Sequence, residues 1–231
     1  MIRVQPEWEW EYKELWNCIK IANDFPKITV IISTYKRLQD LTRAVKSILN
    51  QTYQNFHIII VGDNCPVLKE FNITDQRITI VNLQENSNDL SATPKNHALY
   101  LIKDPNTWVT YLDDDNYFLR DHLLWYWYNI LQNKSAVYGL SSIIMDKYNI
   151  VFHEPKLYRV DTSCIIHKKF LIDKYGGWDN KAGGYSHDWE LVSRWVGREE
   201  YFVTKKCTVW YNLIGSKNAP EALYHWYGDQ L

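Results

Sequence analysis

The sequence predicts an α/β fold with a mostly parallel central sheet, flanked by helices and followed by a smaller subregion. Three observations support this prediction. The chain has 231 residues, of which 46% are hydrophobic, enough for one sizeable core. Short apolar segments alternate with amphipathic ones between residues 27 and 112, an order typical of βαβ units. No repeat, low-complexity tract or linker interrupts the chain, so we expect a single domain spanning residues 1–231.

The regular alternation begins after a charged, Trp-rich lead-in. This lead-in, residues 1–26, is expected to form a helix around residues 11–22. Residues 27–32 are an apolar run that predicts a strand buried on both faces. A helix over about residues 38–50 follows, because apolar side chains recur there at helical spacing: Leu38, Leu41, Ala44, Val45, Ile48 and Leu49.

The same alternation continues to residue 112. Residues 56–61 and 77–83 are two further apolar, β-branched runs, and both predict strands. A helix is predicted near residues 92–103, and another strand over residues 108–112. Right-handed crossovers between parallel strands would place the helices on both faces of the sheet.

The second half of the chain has a different pattern. A helix is predicted near residues 120–132, followed by a hairpin of residues 136–144 and 149–153. A loop rich in glycine then precedes a helix that starts near Asp188. The chain therefore divides into two functional halves, at about residues 27–115 and 116–231.

Composition excludes several classes of function. The formal net charge is −1 and no dense Lys/Arg block occurs, which argues against a nucleic-acid partner. The N-terminus has no apolar signal-peptide core, and no uncharged apolar run is long enough to span a membrane, so we expect a cytoplasmic protein. The four cysteines are scattered, with no C-x-x-C pair, which argues against a zinc ribbon and favours reduced thiols.

An acidic triplet follows the predicted strand 108–112. In open parallel sheets, ligands bind outside the carboxyl ends of the strands, which is where Asp113, Asp114 and Asp115 would lie. Adjacent carboxylates repel one another unless a cation compensates. Hard oxygen ligands suit Mg²⁺ or Mn²⁺, which can also bridge to a diphosphate. The triplet therefore predicts a metal site, with a solvated acidic turn as the alternative.

Six segments in order along the chain resemble the family 2 glycosyltransferases, inverting enzymes of GT-A fold that use nucleotide-sugar donors. The segments are I-I-S-T-Y-K-R (31–37), S-I-L-N-Q-T-Y-Q-N-F (47–56), I-V-G-D-N (60–64), P-K-N-H-A-L (94–99), Y-L-D-D-D-N (111–116), and G-G-W-D (176–179) with H-D-W-E-L (187–191). The resemblance implies a nucleotide-binding first half and an acceptor-binding second half.

The resemblance implies a set of donor-binding residues. They would hold the base, ribose or diphosphate, Tyr35 by stacking and Asp63 by accepting a hydrogen bond from the base: Thr34, Tyr35, Arg37, Asp63, Lys95, Asn96, Asp113 and Asp114. Lys95 and Asn96 would face the diphosphate near a helix start, a position that favours anions. Without the resemblance, Asp63 would be an ordinary turn acid and Lys95 a surface lysine. The default nucleotide is UDP, by its frequency in the family.

The resemblance also implies a metal set and a catalytic base. Asp113 and Asp115 would bind Mn²⁺ or Mg²⁺, Asp115 as the direct ligand, with His225 as a third ligand. Asp188 would be the general base that takes the proton of the acceptor hydroxyl. Its structural alternative is an N-cap for the following helix.

Four residues near Asp188 are candidates for acceptor or sugar contacts: Trp178, Asp179, Tyr185 and His187. Trp178 could equally fill the core. The acceptor itself, whether a glycan, a lipid-linked molecule or a protein, is not specified by these residues, and neither is the oligomeric state.

The match to the family departs at two positions. Gly62 replaces the first acid of the usual Asp pair, and His187 replaces the Glu that commonly precedes the base. Two alternatives remain: a nucleotidyltransferase, although residues 33–37 lack the glycine-rich phosphate loop, and a non-catalytic nucleotide- or sugar-binding module. For a chain of this length we expect one sugar per event.

Overall fold

The computed structural model describes residues 13–15, 17–18, 25–145, 148–157, 159–179 and 186–212. The helices are α1 (Leu38–Leu49), α2 (Ala92–Leu101), α3 (His122–Gln132), α4 (Phe170–Tyr175) and α5 (His187–Ser193), with 3₁₀ turns η1 (Pro66–Glu70) and η2 (Thr162–Cys164). The strands are β1 (Ile28–Thr34), β2 (Phe56–Gly62), β3 (Ile78–Asn82), β4 (Trp108–Tyr111), β5 (Tyr117–Phe118), β6 (Tyr138–Met145), β7 (Tyr148–Ile150), β8 (Ile165–Lys168) and β9 (Tyr201–Tyr211). Within these residues the nine strands form one sheet, in the order β3-β2-β1-β4-β8-β6-β9-β5 with β7 paired to β6.

Strands β1 to β4 form a parallel unit in the order β3-β2-β1-β4. Strand β1 lies inside this unit, and all seven of its residues are buried. The chain leaves β1 toward β2 on one side and returns on its other side as β4. This reversal of strand order makes the carboxyl ends of β1 and β4 the place where an open α/β sheet binds its ligand.

The rest of the sheet is mixed. Strand β8 runs antiparallel to both β4 and β6, β7 is antiparallel to β6, and β5 is antiparallel to β9. Strands β6 and β9 are parallel, with register shifts between Leu140 and Ile143. Such irregularities bend a strand. The eleven-residue β9 lies between β6 and β5 in the sheet and pairs with β5 on the side away from β6.

The core consists of two layers, one on each face of the sheet. Along β1, Ile28, Val30 and Ile32 pack into a cluster that includes the buried faces of α1 and α3. Ile31 points the other way, into a cluster with residues of α2, α4 and α5. Alternate side chains of a strand lie on opposite faces, so a strand covered on both sides is apolar at nearly every position.

The structure confirms the predicted fold class and the flanking helices. The predicted strands and helices of the first half are all present within a few residues of their expected ends, and the hairpin is formed by β6 and β7. Four elements were missing from the prediction: β5, β8, α4 and β9. They are short or, in β9, interrupted by polar residues. Three of them, β5, β8 and β9, take part in the antiparallel pairs that make the sheet mixed.

The predicted N-terminal helix lies mostly outside the described residues. Residues 13–15 and 17–18 are helical, and Leu15 is fully buried in the core. The four cysteines are free thiols. In the part of the chain that the structure describes, no helix is both long enough and apolar enough to cross a membrane.

Candidate active site at the carboxyl edge of the sheet

The carboxyl ends of β1, β2 and β4 bring the first set of predicted residues together. The backbone amide of Asp63, after β2, donates to the carbonyl of Thr34 at the end of β1 (3.0 Å). The Thr34 hydroxyl in turn donates to Oδ2 of Asp114, after β4, at 2.8 Å. Residues up to 80 positions apart in sequence therefore meet at one edge, as parallel strands require.

The three carboxylates of the triplet have different environments. Asp114 is buried, and its second oxygen accepts a hydrogen bond from Nη1 of Arg37 at 3.0 Å. The same Nη1 lies 2.6 Å from Oδ2 of Asp115, whose side chain is 23% exposed. The Asp113 backbone amide donates to the hydroxyl of Ser163 at 3.2 Å. Asp114 thus ties β1 to β4, while Asp115 is reachable from solvent.

The electrostatics of the triplet favour a bound cation. Burial raises the pKa of Asp114 to about 6, although the Thr34 hydrogen bond and Arg37 act in the opposite direction. Burial also raises the pKa of Asp115, and the neighbouring Asp113 charge adds to this. Both shifts mean that the ionised form of each carboxyl group is disfavoured where it lies, and a nearby cation would offset this.

The chemistry of the donor set fits a divalent metal whose coordination is completed by substrate. Among the described residues no group of three or more His, Cys, Asp or Glu side chains could hold a metal ion. Two carboxylates, from Asp113 and Asp115, with phosphate oxygens and water is an ordinary ligand set for Mg²⁺. The predicted third ligand, His225, lies outside the described residues.

The loop after β3 engages Asp63. Its Oδ1 accepts from the Ser87 amide and its Oδ2 from the Ser87 hydroxyl, both at 2.9 Å, and the Asn86 side chain donates to its backbone carbonyl at 2.9 Å. Asp63 therefore anchors this loop beside the site. Ser87 was not predicted, because nothing local in the sequence distinguishes it from other loop serines.

The first helical turns of α2 place Lys95 and Asn96 differently from each other. Lys95 is only 3% exposed, and its ammonium lies 4.2 Å from the centre of the Trp178 ring. No hydrogen bond or ion pair to another described residue holds this ammonium. Asn96 instead uses its whole amide on Trp178: Nδ2 donates to the Trp178 carbonyl at 2.8 Å, and Oδ1 accepts from the Trp178 amide at 2.9 Å.

These contacts give Asn96 a structural partner, and its role at the diphosphate stays a prediction. Trp178 is 3% exposed and packs edge-on against Tyr111 at 5.0 Å, which agrees with the alternative that it fills the core. His187 is buried too, with Nε2 3.1 Å from the Asp179 carbonyl. Tyr35, in contrast, is 42% exposed at the site, and Tyr185 lies outside the described residues.

Asp188 lies in the first turn of α5, one residue inside the helix. The N-cap is Ser186, so Asp188 does not have the capping role that its sequence position allowed. Its Oδ1 accepts a short hydrogen bond from the hydroxyl of Thr162. Burial raises the pKa of Asp188 to about 6, against the opposing effects of Lys95 and the Thr162 hydroxyl. A carboxyl group with this pKa is suited to exchange a proton near neutral pH.

Turn η2, which was not predicted from the sequence, lies between Asp188 and the acidic triplet. Asp161 caps η2, accepting from the Ser163 amide at 2.9 Å. Burial raises the pKa of Asp161 well above its usual value, and the charges of Asp188 and Asp113 add to this. A run of Asp, Thr and Ser directly before an apolar strand is a capping pattern that could have identified the turn.

The strand order puts these residues where an open α/β sheet binds its ligand, at the carboxyl ends of β1 and β4. The family model described as "Glycosyl transferase family 2" matches residues 29–184, and the chain belongs to this family.

Similar proteins agree with this assignment. The GalNAc(5)-diNAcBac-PP-undecaprenol beta-1,3-glucosyltransferase of Campylobacter jejuni is 27% identical over 199 residues, covering 84% of this chain and 61% of that protein. Staphylococcus aureus TarS 1-349 in complex with UDP-GlcNAc has a TM-score of 0.69 at 15% identity, covering 83% of this chain and 60% of that one. Mannosyltransferase PcManGT from Pyrobaculum calidifontis, in complex with GDP-Man and Mn²⁺, has a TM-score of 0.63 at 16% identity, covering 93% and 66%.

The two structural similarities concern the fold alone. The chain spans between 14% and 61% of the length of the first three curated relatives that it matches. Substrates and partners of those longer proteins are therefore not transferred to this chain by similarity.

Proposed function

We propose that this chain moves one sugar from a nucleoside-diphosphate sugar, with UDP as the nucleotide, to an acceptor hydroxyl, with inversion and with a divalent metal at the donor site. The observation that carries the proposal is the pairing of two acidic positions at one sheet edge. One is the reachable carboxylate Asp115 beside the nucleotide loops, and the other is the partly buried carboxylate Asp188 with a pKa of about 6.

Asp188 is the proposed general base. Its carboxylate takes the proton of the acceptor hydroxyl as the oxygen forms a bond to the anomeric carbon. The bond from that carbon to the diphosphate oxygen breaks, and the nucleoside diphosphate leaves with its electron pair. Attack from the side opposite the leaving group inverts the anomeric configuration.

The donor side of the site supports the other half of the reaction. Tyr35 presents an exposed ring for a base, and Arg37 and Lys95 supply positive charge. Lys95 is 3% exposed and its ammonium forms no ion pair with another described residue, which suits a phosphate oxygen. A bound Mn²⁺ or Mg²⁺ at Asp113 and Asp115 would act as a Lewis acid toward the leaving diphosphate. A UDP-GlcNAc complex of TarS and a GDP-Man, Mn²⁺ complex of PcManGT, both of similar fold, are consistent with this donor class.

The family match affects the two alternative functions differently. The family match argues against a nucleotidyltransferase. A non-catalytic module that binds a nucleotide sugar without transferring it remains an outcome of the experiments below. The acceptor class, whether glycan, lipid-linked molecule or protein, is left to an acceptor screen.

The first experiment is a calorimetric titration with UDP, GDP and dTDP, in Mn²⁺ and in EDTA. We expect one diphosphate to bind in Mn²⁺ and to lose affinity in EDTA. Asp115→Asn should lower the affinity in Mn²⁺ by at least ~10-fold, the scale seen when metal sites are perturbed. Asp104→Asn is the matched control, because Asp104 precedes β4 and lies at the opposite edge of the sheet.

Two results would overturn the donor-site assignment. One is the absence of binding by every nucleotide in both conditions, and the other is equal binding by the wild type and Asp115→Asn. The bound nucleotide then selects the sugars for a transfer assay, and proton NMR of the product measures whether the anomeric configuration inverts. Nucleotide binding without transfer to any acceptor would favour the non-catalytic module.

A further inference from the structure

Turn η2 touches both acidic positions of the site. From one end, the hydroxyl of Thr162 donates to Asp188 Oδ1. One residue later, Ser163 accepts from the amide of Asp113 (3.2 Å) and from the side chain of Asn116 (3.1 Å). Thr162 and Ser163 are 5% and 0% exposed. Two consecutive hydroxyls therefore connect the candidate base with the candidate metal loop.

The sheet explains why this turn lies there. Strand β8 follows η2 directly and runs antiparallel to β4, with Thr110 opposite Ile166. The residues just before β8 must then lie beside the residues just after β4, which are the acidic triplet. Asp161 fixes the turn by capping it, and the Tyr126 hydroxyl holds its last carbonyl, that of Cys164, at 2.8 Å.

We propose that Thr162 is a positioning residue for Asp188, holding one carboxylate oxygen so that the other faces the acceptor hydroxyl. This inference rests on the proposed function, since it concerns the base of that reaction. Thr162 does not touch substrate. It orients the carboxylate and stabilises its ionised form, because a hydrogen bond to the charged form of an acid favours that form.

The ionisable groups around Asp188 in the described part of the chain come from several elements: Lys95 on α2, Asp113 after β4, Asp161 and Cys164 at η2, His187 on α5 and Tyr211 on β9. Lys95 favours the ionised carboxylate of Asp188, and Asp113 opposes it. Asp161 lies close enough for the charge of Asp188 to raise the pKa of Asp161. Against these acidic neighbours, Thr162 and Lys95 are the groups that keep Asp188 available as a carboxylate.

The test compares Thr162→Val, which replaces the hydroxyl by a methyl group of similar volume, with Thr162→Ser, which keeps a hydroxyl. Thr110→Val is the matched control, because Thr110 is buried like Thr162 and its hydroxyl donates to a backbone carbonyl, that of Ile165 at 2.7 Å, and not to Asp188. Carbon-13 NMR of the aspartate carboxyl groups, with Asp188 assigned by Asp188→Asn, measures the titration of the base directly.

We expect Thr162→Val to move the Asp188 titration to higher pH, while Thr162→Ser and Thr110→Val leave it near the wild-type position. In the transfer assay, Thr162→Val should lower kcat by ~10-fold, the scale of a charge-assisted hydrogen bond, with the donor KM unchanged. The acidic limb of its pH–kcat profile should move up with the titration. Thr162→Ser should recover most of the rate.

An unshifted Asp188 titration in Thr162→Val would overturn the inference, as would a kcat loss no larger than that of Thr110→Val. The NMR arm needs no substrate, so it decides the inference even if transfer is never observed. Full transfer activity in Asp188→Asn would instead overturn the proposed base, whatever the titration shows.

Discussion

Asp114, which is buried, and Asp188, which is partly buried, are two carboxyl groups at the same edge of the sheet. Burial raises the pKa of each to about 6. Their partners differ. Asp114 uses one oxygen for Thr34 and the other for Arg37, so both oxygens are held. Asp188 is held through Oδ1 by Thr162, and its cationic neighbour Lys95 lies outside ion-pair distance in the described structure.

This difference in partners predicts a structural role for Asp114 and a chemical one for Asp188. A carboxylate with both oxygens engaged connects two loops and has little capacity left for substrate. A carboxylate with one oxygen engaged is oriented and still has an oxygen that can accept a proton. A raised pKa alone would not distinguish the two groups, because desolvation acts on both.

The strongest test of the comparison is removal of the base. Asp188→Asn should lower kcat by about 10²–10⁴-fold, the range for loss of a general base, with nucleotide affinity unchanged. The measurement is turnover of the identified donor, with calorimetry as the binding control. Comparable turnover by Asp188→Asn and wild type would contradict the assignment of the base.

The pH dependence of the wild type tests the second feature of Asp188. The base acts in its ionised form, and burial raises its pKa to about 6, so kcat should fall by about tenfold per pH unit below that value. If the base were an ordinary exposed carboxyl group, kcat would stay unchanged down to nearly pH 4. A pH–kcat profile at saturating donor measures this limb, and a flat profile down to pH 4.5 would show that the rate does not depend on this group.

Stability should respond differently to substitution of the two acids. Since the folded-state pKa of Asp188 is raised above the unfolded value, its contribution to stability is present at low pH and is lost as the pH rises through about 6. Asp188→Asn should therefore stabilise the fold at pH 7 by about 1–3 kcal/mol, and the gain should shrink toward pH 4.

Asp114→Asn should not give this gain. An asparagine has one acceptor oxygen, so either Thr34 or Arg37 would face its amide group, and the lost partner offsets the relief of charge. Urea unfolding of both variants at pH 7 and pH 4.5 makes the measurement. Equal stabilisation by the two substitutions would remove the distinction between the two acids.

The smallest expected effect comes from replacing the cationic side chain near each acid, Lys95 near Asp188 and Arg37 near Asp114. Lys95→Met should move the acidic limb of the pH–kcat profile upward, because Lys95 lowers the pKa of Asp188. Arg37→Met should leave this limb in place, since Arg37 contacts Asp114 and Asp115 instead. Both pH–kcat profiles are recorded at saturating donor. Equal shifts in Lys95→Met and Arg37→Met would contradict the distinction between the two acids.

The sequence determined the parallel half of the fold and the residues at its carboxyl edge. Strands β1, β2 and β4 were predictable because nearly all of their residues are apolar and buried, and helix α1 because its apolar periodicity is local. Asp115 and Asp188 were identified as candidates from their position and from the family motifs. Their proposed roles stay predictions until the experiments above are done.

Only the tertiary structure decided how those residues are held. Asn96 and Lys95 are neighbours in sequence, yet one clamps the Trp178 backbone and the other points its ammonium over the Trp178 ring. Turn η2 became visible only when β8 was seen to run antiparallel to β4. Hydrogen bonds between residues about 25 to 80 positions apart depend on strand pairing and register, and a pattern of local propensities does not contain that information.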